Sequence, residues 1–175
     1  MHLNSRPVAA FDPEGLIFAA GIGSESIKLY DLRSFDRGPF TTFKVQTYDN
    51  GPPPPNFEWT GLRFSPDGRS MLIMTNANTM CVVDSYYGRK TASFGGFANA
   101  KSVPLEATFT PDSQYVFSGS TDGKMHAWSA ENGSKIAVMD SQHQLPIQNV
   151  LFNPKYMLMA TACKILSLWV PEVDE

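Results

Sequence analysis

Phe64-Ser65-Pro66-Asp67-Gly68 is a turn bounded by apolar runs, and it is not alone. The same Phe-x-Pro signature returns as Phe11-Asp12-Pro13-Glu14-Gly15, Phe109-Thr110-Pro111-Asp112-Ser113 and Phe152-Asn153-Pro154-Lys155-Tyr156, with the Phe residues 53, 45 and 43 positions apart. Each turn is followed by an apolar stretch, a polar or small break, and a second apolar stretch. That second stretch ends in Leu29-Tyr30-Asp31, Val82-Val83-Asp84, Ala127-Trp128-Ser129 or Leu168-Trp169-Val170. Phe11 to Tyr30, Phe64 to Val83 and Phe109 to Trp128 are each 19 positions apart, and Phe152 to Trp169 is 17. A fixed internal offset with variable spacing between units describes rigid units joined by variable loops.

The units read as strands. Leu16–Ala20, Met71–Thr75, Val116–Ser120 and Leu158–Ala162 are apolar runs of strand length between turn signals. Asp122-Gly123 supplies the positive φ of a tight hairpin, and Gly21-Ile22-Gly23-Ser24 and Thr75-Asn76-Ala77-Asn78 occupy the same place in their units. No apolar period of 3.6 residues persists, so almost no helix is expected. Short strands repeating at this period predict an all-β fold, a WD-repeat β-propeller of about four blades. An immunoglobulin-like sandwich does not predict the fixed offset. The repeats lie near 6–40, 57–94, 103–139 and 145–171, within a partial propeller over 1–172. A proline-rich loop covers 49–56 and an acidic tail 173–175.

Composition narrows the function. The 175 residues are 42% hydrophobic and 18% charged, which suits a packed core, and a net charge of −3 does not suit a phosphate backbone. Direct nucleic-acid binding and membrane insertion are therefore not expected. Cys81 and Cys163 lie far apart in apolar runs and read as reduced, buried residues. His2, His126 and His143 are dispersed, so no metal site is expected, and no nucleophile elbow or phosphate-binding glycine loop occurs. The expectation is no catalytic residue, no cofactor and no enzymatic activity. His143 reads as a loop residue, because the turn Ala162-Cys163-Lys164 of its repeat lacks the Asp that would complete a buried network, and no repeat carries that network whole.

Beyond the generic repeat, the chain resembles one family. Phe11–Gly21, Lys28–Phe40, Glu58–Leu62 and Leu105–Gln114 are similar to the WD-repeat subunit of COMPASS-type histone H3 lysine-4 methyltransferase complexes, and the resemblance covers essentially the whole chain. It implies a nuclear, seven-bladed, non-catalytic scaffold that docks a methyltransferase onto chromatin in connection with transcribing RNA polymerase II. It also implies, as alternatives, service in phosphatase or pre-mRNA 3′-end-processing complexes. A WD-repeat ubiquitin-ligase adaptor is a further alternative. The match begins mid-family, so about three blades are expected to be missing. Two blade faces would then be uncovered, and the chain made alone would self-associate, aggregate or need a partner.

Candidate partner-binding residues fall in two groups. Phe35, Arg37 and Phe40 sit in an irregular connection, where exposed aromatics beside Arg make good interface anchors. Glu58, Thr60, Leu105 and Gln148 stand by register at the starts of first strands, and Asn76 lies near a hairpin turn. Together these would form the rim of one propeller face.

Overall fold

The computed structural model describes residues 6–48 and 51–172. His2, Asp49-Asn50 of the proline-rich loop and the tail 173–175 lie outside them. Among the described residues, fifteen strands follow one another in four antiparallel sheets. Sheet one holds β1 (Val8–Phe11), β2 (Ile17–Ile22), β3 (Ser26–Asp31) and β4 (Thr41–Lys44). Sheet two holds β5 (Trp59–Phe64), β6 (Ser70–Thr75), β7 (Met80–Asp84) and β8 (Lys90–Phe94). Sheet three holds β9 (Ala107–Phe109), β10 (Tyr115–Gly119), β11 (Met125–Ser129) and β12 (Lys135–Met139). Sheet four has three strands, β13 (Asn149–Phe152), β14 (Met159–Ala162) and β15 (Leu166–Trp169). Each is a meander in chain order, the topology of a propeller blade. One short 3-10 helix, Leu32–Arg37, interrupts the first blade. Asp31 caps it by accepting from the Arg33 amide, and the Arg33 guanidinium beside it holds that carboxyl down to about 2.

The constant offset is a register effect. Phe11, Phe18 and Tyr30 stand opposite one another on three neighbouring strands. So do Phe64, Met71 and Val83, then Phe109, Val116 and Trp128, then Phe152, Met159 and Trp169. The fourth offset is shorter because the β14–β15 hairpin closes tightly, with the Cys163 amide donating to Ile165 O at 3.0 Å. All four repeat phenylalanines, with Pro66, Pro111 and Pro154, line one cavity of about 330 Å³ at the end where the first strands finish. The four units are therefore arranged about a common axis.

Apolar layers between blades hold the fan together. Between blades one and two lie Val8, Ala19, Ile27, Leu29, Met71, Ile73 and Val83. Between blades two and three, Trp128 packs on Phe94 and Phe97 at ring separations of 5.7 and 5.9 Å, over Leu72, Met80 and Val82. Between blades three and four lie Met125, Ile147, Val150 and Met159, with Phe117, Phe152 and Trp169 half-buried against them. Glycines permit these close approaches: a Cβ on Gly119 would stand 2.2 Å from Ile147 O, and one on Gly123 would stand 2.2 Å from His143 O.

The ring is not closed. Leu166 and Leu168 are 69% and 63% exposed, whereas Met80 and Val82, which hold the same register positions in blade two, are each 1% exposed. The opposite end of the fan shows the outer face of blade one, where Phe18, Tyr30 and Phe11 carry the aromatic surface.

Two expectations need correcting. Cys163 is half-exposed rather than buried, although neither cysteine is in a disulfide. His143 lies in a loop, as read, but the expectation that no repeat carries a buried network fails here. His143 is 5% exposed, its Nε2 lies 2.8 Å from Thr161 Oγ1, and its Nδ1 lies 3.1 Å from Cys163 Sγ. Trp169 Nε1 donates to the same Thr161 hydroxyl at 2.9 Å. Cys163 stands where the sequence reading looked for Asp, so repeat four does hold a buried polar network that ties its turn to its Trp.

Candidate interaction surface

Antiparallel register places the starts of β5, β9 and β13 at one end of the fan, together with the β6–β7 and β10–β11 turns. Thr60, Leu105 and Gln148 come together there around a cavity of about 410 Å³, with Arg6, Arg63, Glu106 and Asn149. Arg63 and Glu106 form an ion pair of 2.8 Å that joins blade two to the start of blade three. The pair is partly solvated, so it contributes at most about 1 kcal/mol to folding. Thr60 Oγ1 is buried there without a hydrogen-bond partner. The Gln148 amide donates to Ala162 O at 3.0 Å and its carbonyl accepts from the Glu106 amide at 2.8 Å, which fixes its backbone. Leu105 is 1% exposed and packs in the core between blades two and three, so its side chain is spent on packing rather than presented at the rim.

Asn76 is a staple. Its Oδ1 accepts from the Glu58 amide at 2.9 Å, its Nδ2 donates to Asn56 O at 2.7 Å, and its own amide donates to Glu58 O at 3.1 Å. This clamps the end of the proline-rich loop to the β6–β7 turn and leaves the exposed Glu58 carboxylate without an ion-pair partner among the described residues. Buried Asn99 extends the clamp. Its amide nitrogen donates to the carbonyls of Asn76, Ala77 and Val103, and its Oδ1 accepts from the Val103 amide. Neither the bonds of Asn99 to Asn76 and Ala77 nor the Arg63–Glu106 pair is legible in the sequence, because nothing local marks partners more than twenty positions apart.

Phe35, Arg37 and Phe40 occupy the opposite end, beyond β3. Phe35 lies 5.8 Å from the Phe18 ring and 5.6 Å from the Tyr30 ring, so it covers part of the outer face of blade one while remaining 57% exposed. Phe40 is 56% exposed and its amide donates to Leu29 O at 2.9 Å. Arg37 is exposed. The candidate residues thus divide into two separate groups.

The titratable groups are structural. Burial works to raise the Asp67 carboxyl, but hydrogen bonds from the Ser65 hydroxyl and the Arg69 amide outweigh it and hold it below the usual range. Asp122 behaves alike, with Ser120 and the Lys124 amide as donors. His126 is buried and pushed down by desolvation and then by the Lys135 ammonium, whose Nζ lies 3.2 Å from its Nδ1. Among the described residues no group of three or more His, Cys, Asp and Glu is placed to hold a metal ion.

Four meander blades fanned about an axis, each with a Phe-x-Pro turn in register with a Tyr, Val or Trp near the end of its third strand, define a WD-repeat β-propeller protein, and the chain belongs to that class. Residues 98–129 match the family described as WD domain, G-beta repeat. Over 175 residues, all of this chain and 53% of the relative, it is 53% identical to "WD repeat-containing protein 82" of Drosophila melanogaster. It is 37% identical over 175 residues, again all of this chain and 50% of the relative, to "Protein ANTHESIS POMOTING FACTOR 1" of Arabidopsis thaliana. It is 26% identical over 176 residues, 92% of this chain and 51% of the relative, to "COMPASS component SWD2" of Saccharomyces cerevisiae. The likeness read from the repeats is thus a relationship to the WD-repeat components of such complexes. The chain spans about half the length of the curated relatives it matches.

Proposed function

We propose that this chain is a non-catalytic protein-interaction scaffold, a subunit of a nuclear histone H3 lysine-4 methyltransferase complex linked to transcribing RNA polymerase II. The observation that carries the reading is similarity, over 92% of this chain and 51% of the relative, to a protein whose name places it in COMPASS. The geometry supports it. Rigid blades present a cavity lined by Thr60 and Gln148 at one end, with the exposed Glu58 just before β5 held by its backbone to Asn76. A rigid frame with polar side chains at a rim suits partner docking. Phe35, Arg37 and Phe40 form a second proposed contact at the other end.

Affinity purification of the tagged chain from nuclear extract, read by mass spectrometry, tests the assignment. Recovery of methyltransferase subunits, reduced by Glu58→Lys, is the expected result. Recovery of cullin subunits alone, or of none of these, overturns it. The uncovered leucines of blade four support a further part of the reading: made alone, the chain self-associates through its open faces. A stable monomer on size-exclusion chromatography overturns that part.

A further inference from the structure

The fourth turn breaks the pattern of the other three. Turns one to three place Gly15, Gly68 and Ser113 in the left-handed region, at φ of 69°, 73° and 64°, in polar sequences. Turn four instead reads Lys155-Tyr156-Met157, with Tyr156 and Met157 71% and 69% exposed and neither at positive φ. The fold does not require an aromatic residue at position 156, since Gly15, Gly68 and Ser113 hold that place in the sister turns; the place of Met157 is taken in turn one by Leu16, 45% exposed. Turn four is nevertheless held in place, because Asn153 Oδ1 accepts from the amides of both Lys155 and Tyr156, at 2.9 and 3.1 Å.

These residues form one wall of a groove of about 390 Å³ between blades three and four, at the end opposite the cavity lined by Thr60 and Gln148. Tyr115 and Phe117 supply the facing wall, Phe152 lies between, and Pro111 and Pro154 close it. Phe117 and Phe152 meet at a ring separation of 6.0 Å, which makes the floor aromatic and fixed. The polar groups are few and distinct. The exposed Asp112 also lines the groove, and its carboxylate accepts from the Thr110 hydroxyl and the Gln114 amide. The Tyr115 and Tyr156 hydroxyls and the Lys155 ammonium engage no other described residue.

We propose that this groove binds a proline-rich segment of a partner protein that carries an acidic residue at one end. Aromatic walls take pyrrolidine rings, and a polyproline helix has no internal hydrogen bonds, so its carbonyls are available to the two free tyrosyl hydroxyls. It also enters already extended, at low entropic cost. Lys155 is the unpaired cation at the rim and selects the acidic flank. The groove is built wholly from blades three and four and does not rest on membership of any complex.

The test is fluorescence anisotropy with a labelled oligoproline peptide ending in two glutamates. A Gly-Ser peptide with the same glutamates is the control. Saturable binding of the proline probe alone is expected. Tyr156→Ser weakens it about tenfold or more, as for an aromatic anchor. Lys155→Gln weakens it several-fold and removes its salt dependence. Tyr87→Ser, at an exposed tyrosine of blade two, leaves it unchanged. Circular dichroism of each variant confirms that the fold is retained, which is expected because the altered side chains are exposed. No binding up to about 1 mM, equal binding of the Gly-Ser control, or insensitivity to Tyr156→Ser overturns the proposal.

Discussion

Replacing Thr161 by Val removes one hydroxyl and almost no volume, yet it strikes the polar network of blade four at its centre. Thr161 is fully buried, and its oxygen is 2.8 Å from His143 Nε2 and 2.9 Å from Trp169 Nε1. The substitution strands the indole N–H and an imidazole nitrogen together. A buried polar group left without a partner costs about 1–3 kcal/mol. His143 is buried, so its nitrogen bears the full cost, whereas the half-buried Trp169 regains part of its loss from water. The sum comes to about 2–4 kcal/mol. With a urea slope of about 2 kcal/mol/M, the unfolding midpoint falls by about 1–2 M. Urea titration followed by tryptophan fluorescence reads this directly. Thr161→Ser, which keeps the hydroxyl, should recover most of the loss. A Val variant within about 0.5 kcal/mol of the native chain would show that the network does not hold the blade, and the reasoning would fail.

Other outcomes follow from the same packing. Trp128→Ala, at the centre of the layer between blades two and three, should cost about 3–5 kcal/mol by thermal or urea unfolding, and a loss under about 1 kcal/mol would contradict that position. Gly119→Ala should destabilise strongly, because the new methyl meets a backbone carbonyl of the next blade rather than a side chain that can move; an unchanged melting temperature would contradict the close approach. His126 is held neutral by burial, so its folded-state pKa lies below the ordinary 6.5. The unfolded chain then binds the extra proton first, and stability is full above about 6.5 and declines as the pH falls below it. His126→Phe should flatten that decline in a pH series of unfolding midpoints, and a native profile already flat across it would refute the assignment. Asp67 and Asp122 are both held low by hydrogen bonds, so a second loss of stability should begin below about pH 4 as they become protonated.

The fold was legible because register writes itself into spacing. Phe64 and Val83 stand in one row across three strands, so a turn and two strands of constant length return the same offset in each repeat, and only the tight β14–β15 hairpin shortens it. Rim position was legible at Thr60 and Gln148 for the same reason. Leu105 shares that end and lines the same cavity, but its apolar side chain packs in the core, which strand-start position alone does not show. The network of His143 was obscured by a substitution. The search was for Asp, and Cys163 fills that place, although a hydroxyl eight positions before Trp169 was a readable signal. The Arg63–Glu106 pair spans 43 positions and leaves no local trace. Phe35 was exposed as expected, but its contact with Phe18 and Tyr30 depends on the 3-10 helix that Asp31 caps, which periodicity alone does not show.

The central claim is that consecutive Phe-x-Pro units are adjacent blades around one axis. The turns of blades two and three touch, since the Asp67 amide donates to the Ser113 hydroxyl at 3.1 Å. Cysteines placed at these two positions should therefore lie within disulfide reach, at a Cα separation of about 4.4–6.8 Å. Mild oxidation followed by peptide mass spectrometry should recover the 67–113 cross-link as the dominant product, formed within a single chain. Failure of that link to form, with either cysteine pairing elsewhere instead, would contradict the blade order on which the account rests.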